Sequence, residues 1–294
     1  MQARLIAYPP DNAAIIRLVP AYGRLRIGRA RDCDLVLDHS SVSREHAELR
    51  ADAGQWLLRD LGSKNGSHLD GVRVDEAPLL KACWLRFGDV HCEFAPLTDA
   101  EAAEGERQQG SRRNAATAHT VRIGQLTSLG DLLDASLTAV LELTQCTRGF
   151  VLLSQGDGLA VRASLSLSPA SLATRAFSGS VGAVRRALYQ RRIVVANDIG
   201  REAWLASRDS VMAAGLSALV CVPLMENGQV LGAIYADRVT PGIAISTLDL
   251  ELLQAFAENA AVWIAARRTS EQLDEMADAA DWVQIVAAHD RHSA

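Results

Sequence analysis

Lysine is almost missing from this chain. Lys64 and Lys81 are the only two among 30 basic side chains in 294 residues, and arginine provides the others. The imbalance reads as base-composition bias, yet it makes Lys64 conspicuous. Neither sign of charge dominates, because 35 acidic residues leave a formal net charge of −5. Nucleic-acid binding needs a concentrated basic face, so no nucleic-acid partner is expected. No C-x-x-C pair occurs among Cys33, Cys83, Cys92, Cys146 and Cys221. Reduced thiols in a cytoplasmic protein are therefore expected. No apolar run approaches the roughly 18 residues that span a bilayer, and residues 1–10 lack the basic-then-apolar pattern of a signal peptide. A soluble chain with no membrane partner follows. A nucleophile elbow, a phosphate loop and clustered metal ligands are also missing. Neither catalysis nor a metal or other cofactor is expected.

What is present falls into two halves, and the length suffices for two ordinary domains. Over residues 1–97 the pattern is short apolar segments broken by turns, at 5–8, 14–19, 24–27, 35–37, 46–50, 55–60, 68–69, 72–74, 84–87 and 91–94. Arg24-Leu25-Arg26-Ile27 alternates, which puts Leu25 and Ile27 on one face. Asp70-Gly71 signals a tight hairpin. No segment holds a helical period for three turns. An all-β sandwich or barrel is predicted, with Trp56 and Trp84 in its core.

Three polar groups are set between these segments: Gly28-Arg29, Ser43-Arg44-Glu45-His46 and Ser63-Lys64-Asn65-Gly66. Polar loops at one end of a rigid β scaffold are where binding residues sit. Their chemistry suits a phosphate, which brings about −1.5 to −2 charges and three acceptor oxygens. Arg29 offers charge-assisted bonds, Ser43 a hydroxyl donor and Lys64 a point charge. Asn65 carries a donor and an acceptor on one planar amide and can clamp a peptide main chain. His46 reads as a support behind the Ser43 segment, and Gly28 and Gly66 as tight turns. Ser43 and His46 as nucleophile and base lack both an elbow and an orienting acid. His46 as a metal ligand lacks a second one.

The ordered set resembles a forkhead-associated (FHA) domain. The resemblance rests on Ile27-Gly28-Arg29, Asp34-Leu35-Val36-Leu37, Ser41 to Ala47, Trp56 to Gly66, Val72, Leu79 and Arg86-Phe87-Gly88-Asp89. It implies that Arg29 and Ser43 contact the phosphate of a phosphothreonine and that Asn65 contacts the peptide backbone. Arg44 occupies a position that often adds to phosphate binding.

Residues 98–120 hold almost no large apolar side chain and are expected to be a flexible linker. Thr117 and Thr120 lie in or beside it. Thr120 has an apolar residue at its third following position, so phosphorylation of either threonine is a candidate ligand for the first domain.

From 121 to 268 the period changes. Ser128-Leu129-Gly130-Asp131 opens a helix in which Leu129, Leu133, Leu137 and Leu141 share a face. Strands are expected at 149–154, 159–165, 193–196, 218–225 and 229–237, with a helix at 181–191 and a tight turn at Asn227-Gly228. Ser246-Thr247-Leu248-Asp249 caps a last long helix. The order predicts an α+β domain with an antiparallel sheet flanked by helices. The segments 219–224, 228–238 and 248–257 resemble a GAF domain. That resemblance implies a homodimer through the outer helices or the sensing of an unidentified small ligand. Histidine-ligated haem is not expected, because no histidine lies between His119 and His289. The cyclic-nucleotide signature is departed from at Asp237-Arg238, Ile245 and Asp249-Leu250. Residues 269–294 are expected to form a helical tail.

Together these readings predict a non-enzymatic cytoplasmic signalling adaptor. Its partner is a phosphothreonine-containing protein, either a Ser/Thr kinase or its substrate. The alternative is a small-molecule sensor, for a nucleotide among others, with the first domain as a docking accessory.

Overall fold

A computed structural model describes residues 2–10, 12–52, 55–156, 158–167, 181–197 and 216–279. Eleven strands build the first half: β1 (Gln2–Tyr8), β2 (Ile15–Val19), β3 (Gly23–Gly28), β4 (Leu35–Val36), β5 (Ala47–Asp52), β6 (Gln55–Asp60), β7 (Ser67–Leu69), β8 (Val72–Val74), β9 (Glu76–Leu79), β10 (Cys83–Phe87) and β11 (Val90–Leu97). They form a six-stranded sheet in the order β2-β1-β11-β10-β7-β8 and a five-stranded sheet in the order β4-β3-β5-β6-β9. Side chains from both sheets, among them Leu5, Ile27, Leu49, Trp56, Leu58, Phe87 and Phe94, fill one buried core. This is a β-sandwich. Asp70 and Gly71 both adopt positive φ (47° and 87°), the turn that a two-residue hairpin requires.

Two local expectations differ. The sequence pattern leaves out β9, because Pro78 interrupts it. As an edge strand it needs no inward donor there, and Pro78 sits opposite Leu57. Trp84 is not core. Leu85 and Phe87 of β10 point inward, so alternation turns Trp84 outward, where it is 45 % exposed beside Tyr8.

The second half contains α1 (Asp99–Gly124), α2 (Leu129–Thr144), β12 (Arg148–Gln155), β13 (Gly158–Leu165), α3 (Val181–Gln190), β14 (Val194–Asn197), β15 (Ala218–Glu226), β16 (Gln229–Arg238) and α4 (Thr247–Ala279). The strands form one antiparallel sheet in the order β13-β12-β16-β15-β14. On one face the three helices α1, α2 and α4 pack through Ile123, Leu133, Leu137, Phe256 and Ile264 onto Val151, Val220 and Ile234. On the other face Ala183 and Ala187 of α3 meet Phe150, Cys221 and Tyr235. Asp237 is fully buried and holds the Arg148 guanidinium and the Tyr235 hydroxyl. That contact gives Asp237 a structural duty. Burial pushes the Cys146 thiol up to about 11 and the Cys221 thiol higher still.

The expected flexible linker is a helix. Residues 98–120 open with a capping box at Thr98 and Glu101 and run into α1. Ala, Glu, Gln and Arg favour helix without a wide apolar face, and Ala102, Ala116 and Ile123 suffice to seat it. Arg112 Nη1 reaches both oxygens of Asp249, at 3.0 and 3.1 Å. The cost for Thr117 and Thr120 is direct. Their hydroxyls donate to the carbonyls of Arg113 and Ala116 one turn back, and a helix has no free main-chain groups for an amide clamp to grip.

The two halves are also joined by backbone. Ala14 donates to the Ile245 carbonyl at 3.0 Å and accepts from the Thr247 N–H at 2.9 Å. Of the outer helices expected to reach a second copy, α2 buries its leucine face within its own chain, whereas Val262, Trp263 and Leu273 of α4 are exposed. The tail continues α4 to Ala279, and the remainder of the expected helical tail lies outside the described residues. Among the described residues no helix is long and apolar enough to cross a membrane.

Candidate functional site

Arg29, Ser43, Arg44, Lys64 and Asn65 line one open concavity of about 740 Å³, together with Asp32, Ser41 and Leu61. Three loops bring them there. The β3–β4 loop begins at Gly28, where an added β-carbon would stand 2.1 Å from the Arg44 carbonyl oxygen. Only glycine lets these backbones approach so closely. The approach is held by Arg29 N–H to the Ser43 carbonyl at 2.9 Å and Ala30 N–H to the Arg44 carbonyl at 3.0 Å.

Each polar group has a defined assignment. Arg29 donates its Nε–H to the Val42 carbonyl at 3.3 Å, which orients the rest of the guanidinium. The Ser43 hydroxyl accepts from the Lys64 backbone N–H at 3.0 Å. Its own proton therefore remains for an outside acceptor. The Asn65 amide donates to the Ser41 carbonyl at 2.7 Å, so its oxygen and its second N–H proton stay available.

His46 lies behind this surface, fully buried and edge-on to Phe87. Ser43 N–H donates to Nδ1 at 3.0 Å, so Nδ1 carries no proton. Nε2 must then be the protonated nitrogen, and it donates to the Gly66 carbonyl at 3.2 Å. One neutral imidazole thus ties the second loop to the third. Burial lowers its pKa. Gly66 itself adopts φ +76°, a left-handed turn that suits glycine.

Sequence reasoning missed the residues that shape the third loop. Asp60 accepts from Gly62 N–H, Ser63 N–H, Ser63 Oγ–H and Ser67 Oγ–H at 2.7 to 2.9 Å. Burial pulls its carboxyl upward, but the bonds from Ser67 and Ser63 win and hold it below the usual range. Ser63 in turn accepts from Gly66 N–H at 2.9 Å. The Asp-Leu-Gly-Ser run is an Asx-turn signal and could have revealed this. Ser41 was also missed; its hydroxyl accepts from Asp89 N–H at 2.8 Å.

The family model for the FHA domain matches residues 25–89, and that for the GAF domain matches residues 128–264. The chain carries an FHA domain followed by a GAF domain. Over 71 residues it is 45 % identical to the FHA domain-containing protein FhaB of Mycolicibacterium smegmatis, covering 24 % of this chain and 46 % of that protein. Over 67 residues it is 37 % identical to the glycogen accumulation regulator GarA of the same organism, covering 23 % and 42 %. The chain spans half or less of the length of the curated relatives it matches. The solved GAF domain of an Acinetobacter phosphoenolpyruvate-protein phosphotransferase is 17 % identical, with a TM-score of 0.44, covering 55 % of this chain and 98 % of that one. The polar concavity belongs to the FHA domain. The sheet beneath the helices, α2 and most of α4 lie within the GAF domain, and α1 precedes it.

Proposed function

We propose that this protein is a non-catalytic signalling adaptor whose FHA domain binds phosphothreonine peptides. The observation that carries the reading is the Ser43 hydroxyl. It accepts from Lys64 N–H and lies in one concavity with Arg29, Arg44 and the Lys64 side chain, so its proton faces a site built for an anion. Arg29, Ser43, Arg44 and Lys64 hold the phosphate. Asn65 grips the peptide backbone with the part of its amide that Ser41 leaves available. The partner is a Ser/Thr kinase or one of its substrates.

The GAF domain supplies dimerisation or the sensing of a small ligand, and the exposed Val262 and Trp263 of α4 support the first of these roles. A single peptide held at micromolar affinity corresponds to about −8 kcal/mol. Dimerisation would raise avidity toward clustered phosphosites.

A phosphopeptide library screened against the intact protein and Arg29→Ala tests the reading. Charge-assisted bonds contribute about 1.5–3 kcal/mol each, so Arg29→Ala should weaken binding by roughly 10- to 100-fold. Equal binding by the two proteins, or no preference for phosphothreonine over threonine, would overturn it.

A further inference from the structure

The concavity around Arg29 ends at Ser41. There the β10–β11 turn presses against it: Asp89 N–H donates to Ser41 Oγ, and a β-carbon at Gly88 would stand 2.4 Å from the Ser41 carbonyl oxygen. Asp89 also lines a second cavity of about 650 Å³. Its walls come from both domains, with Tyr8 and Trp84 on the FHA side and Ser217, Arg238 and Ala244 on the GAF side. Ser41 and Asp89, joined by one hydrogen bond, therefore form the partition between the two cavities.

The second cavity has an aromatic wall, with Asn12, His91 and Asn197 among the polar residues around it. Tyr8 and Trp84 lie with ring centroids 6.0 Å apart, and Trp84 keeps nearly half its surface open. Aromatic faces in a cleft give large contact area at small entropic cost. Arg238 is buried and donates from its two terminal nitrogens to the Thr144 and Ile243 carbonyls, at 3.0 and 2.6 Å, which holds the loop after β16, while its Nε has no hydrogen-bond partner among the described residues. The GAF wall is fixed in place, because Ala14 is hydrogen-bonded to both Ile245 and Thr247 next to that loop.

We propose that the interdomain cleft continues the phosphopeptide site. A residue flanking the phosphothreonine of the bound peptide inserts an apolar or aromatic side chain between Trp84 and the GAF loop carrying Ala244. The inference rests on the phosphopeptide reading above. It makes the GAF domain a wall of the recognition site and a determinant of which phosphoprotein is chosen.

The test uses the full chain and a phosphothreonine library randomised on both flanks, with a five-residue phosphothreonine peptide as baseline. Wild type should enrich apolar or aromatic residues at one flank position and bind such peptides at least fivefold more tightly than the baseline. Trp84→Ala and Ala244→Phe alter opposite walls; each should abolish the enrichment and leave baseline affinity unchanged, with thermal melting confirming the fold. If one variant does not fold, the other decides. No enrichment in wild type, or enrichment that survives in a folded variant, overturns the cleft while the phosphopeptide reading stands. Failure to bind the baseline peptide overturns both.

Discussion

The backbone N–H of Ser43 donates to Nδ1 of His46 at 3.0 Å, and this one bond fixes which nitrogen of the ring carries the proton. The residue meant to touch phosphate and the residue supporting it are thereby coupled. Protonation of Nδ1 would place two donors face to face and release the Ser43 loop.

Stability should therefore fall in mild acid. Burial lowers the His46 pKa from its ordinary 6.5, so below that pH the unfolded chain binds a proton that the folded chain resists. The contribution is fully present above pH 6.5 and is lost as pH falls toward the depressed folded value, with a slope of at most about 1.4 kcal/mol per pH unit. His68 is shifted in the same direction, chiefly by desolvation, and supplies part of the wild-type slope. Denaturant titrations at pH 7.5 and 5.5 on wild type and His46→Gln isolate the His46 share, because glutamine does not titrate. The variant should show the flatter pH dependence; parallel curves would refute the assignment.

Glycines 28 and 66 should respond differently to alanine. A β-carbon at Gly28 meets the Arg44 backbone oxygen at 2.1 Å, and backbone cannot swing away. A β-carbon at Gly66 meets the Arg73 guanidinium at 2.7 Å, the movable end of a long side chain, and adds a positive φ. Gly28→Ala should cost about 3 kcal/mol or more, as severe overpacking does. Gly66→Ala should cost about 1–2 kcal/mol, the penalty of the left-handed region. Equilibrium unfolding of the two variants ranks them, and the reverse order would show the Arg44 backbone to be pliant.

Much of this was legible in the residues. The alternation of Leu25 and Ile27, the Asp70-Gly71 turn and the four-residue spacing of the α2 leucines report backbone period directly. The five candidate binding residues share one concavity because Arg29 follows β3 directly and the others stand in the loops before β5 and before β7. What stayed hidden depends on partners distant in sequence. Trp84 looked like core by its hydrophobicity, but the inward face of β10 was already taken by Leu85 and Phe87. The stretch before Thr120 looked like a tether because its own apolar content is small. Its order comes from the surface offered by α2 and α4, and from Asp249, 137 positions away from Arg112. Asp60 was passed over because its role is toward the loop and not toward a ligand.

Asp60 should matter for binding without touching the peptide. Its two oxygens take four hydrogen bonds from the loop that presents Lys64 and Asn65. Asp60→Ala leaves those donors unmatched, some of them buried, at a cost of about 2–3 kcal/mol of stability. Phosphopeptide affinity should drop about tenfold, mainly through faster dissociation, because the contacts are loosened and not removed. Surface-based binding kinetics on the folded variant check this. A normal dissociation rate would mean that the third loop holds its shape without Asp60.

The linker helix α1 should stay docked on the GAF domain, and Arg112 tests it. The Asp249 carboxylate is 2 % exposed, takes Ser246 N–H at 2.8 Å as the cap of α4, and receives Arg112 from α1. Removing one partner of a buried ion pair leaves an uncompensated charge, which costs about 3–5 kcal/mol when nothing else supports it. Ser246 supports Asp249 in part, so Arg112→Ala should cost about 2–3 kcal/mol in denaturant unfolding of the full chain. Amide hydrogen exchange across α1 should quicken in the same variant while the sandwich core around Trp56 and Phe94 keeps its protection. A tether would respond otherwise, since a substitution in a solvated segment changes stability by less than about 0.5 kcal/mol. A loss that small, with α1 already exchanging freely in wild type, would return residues 98–120 to the flexible linker that their composition suggests.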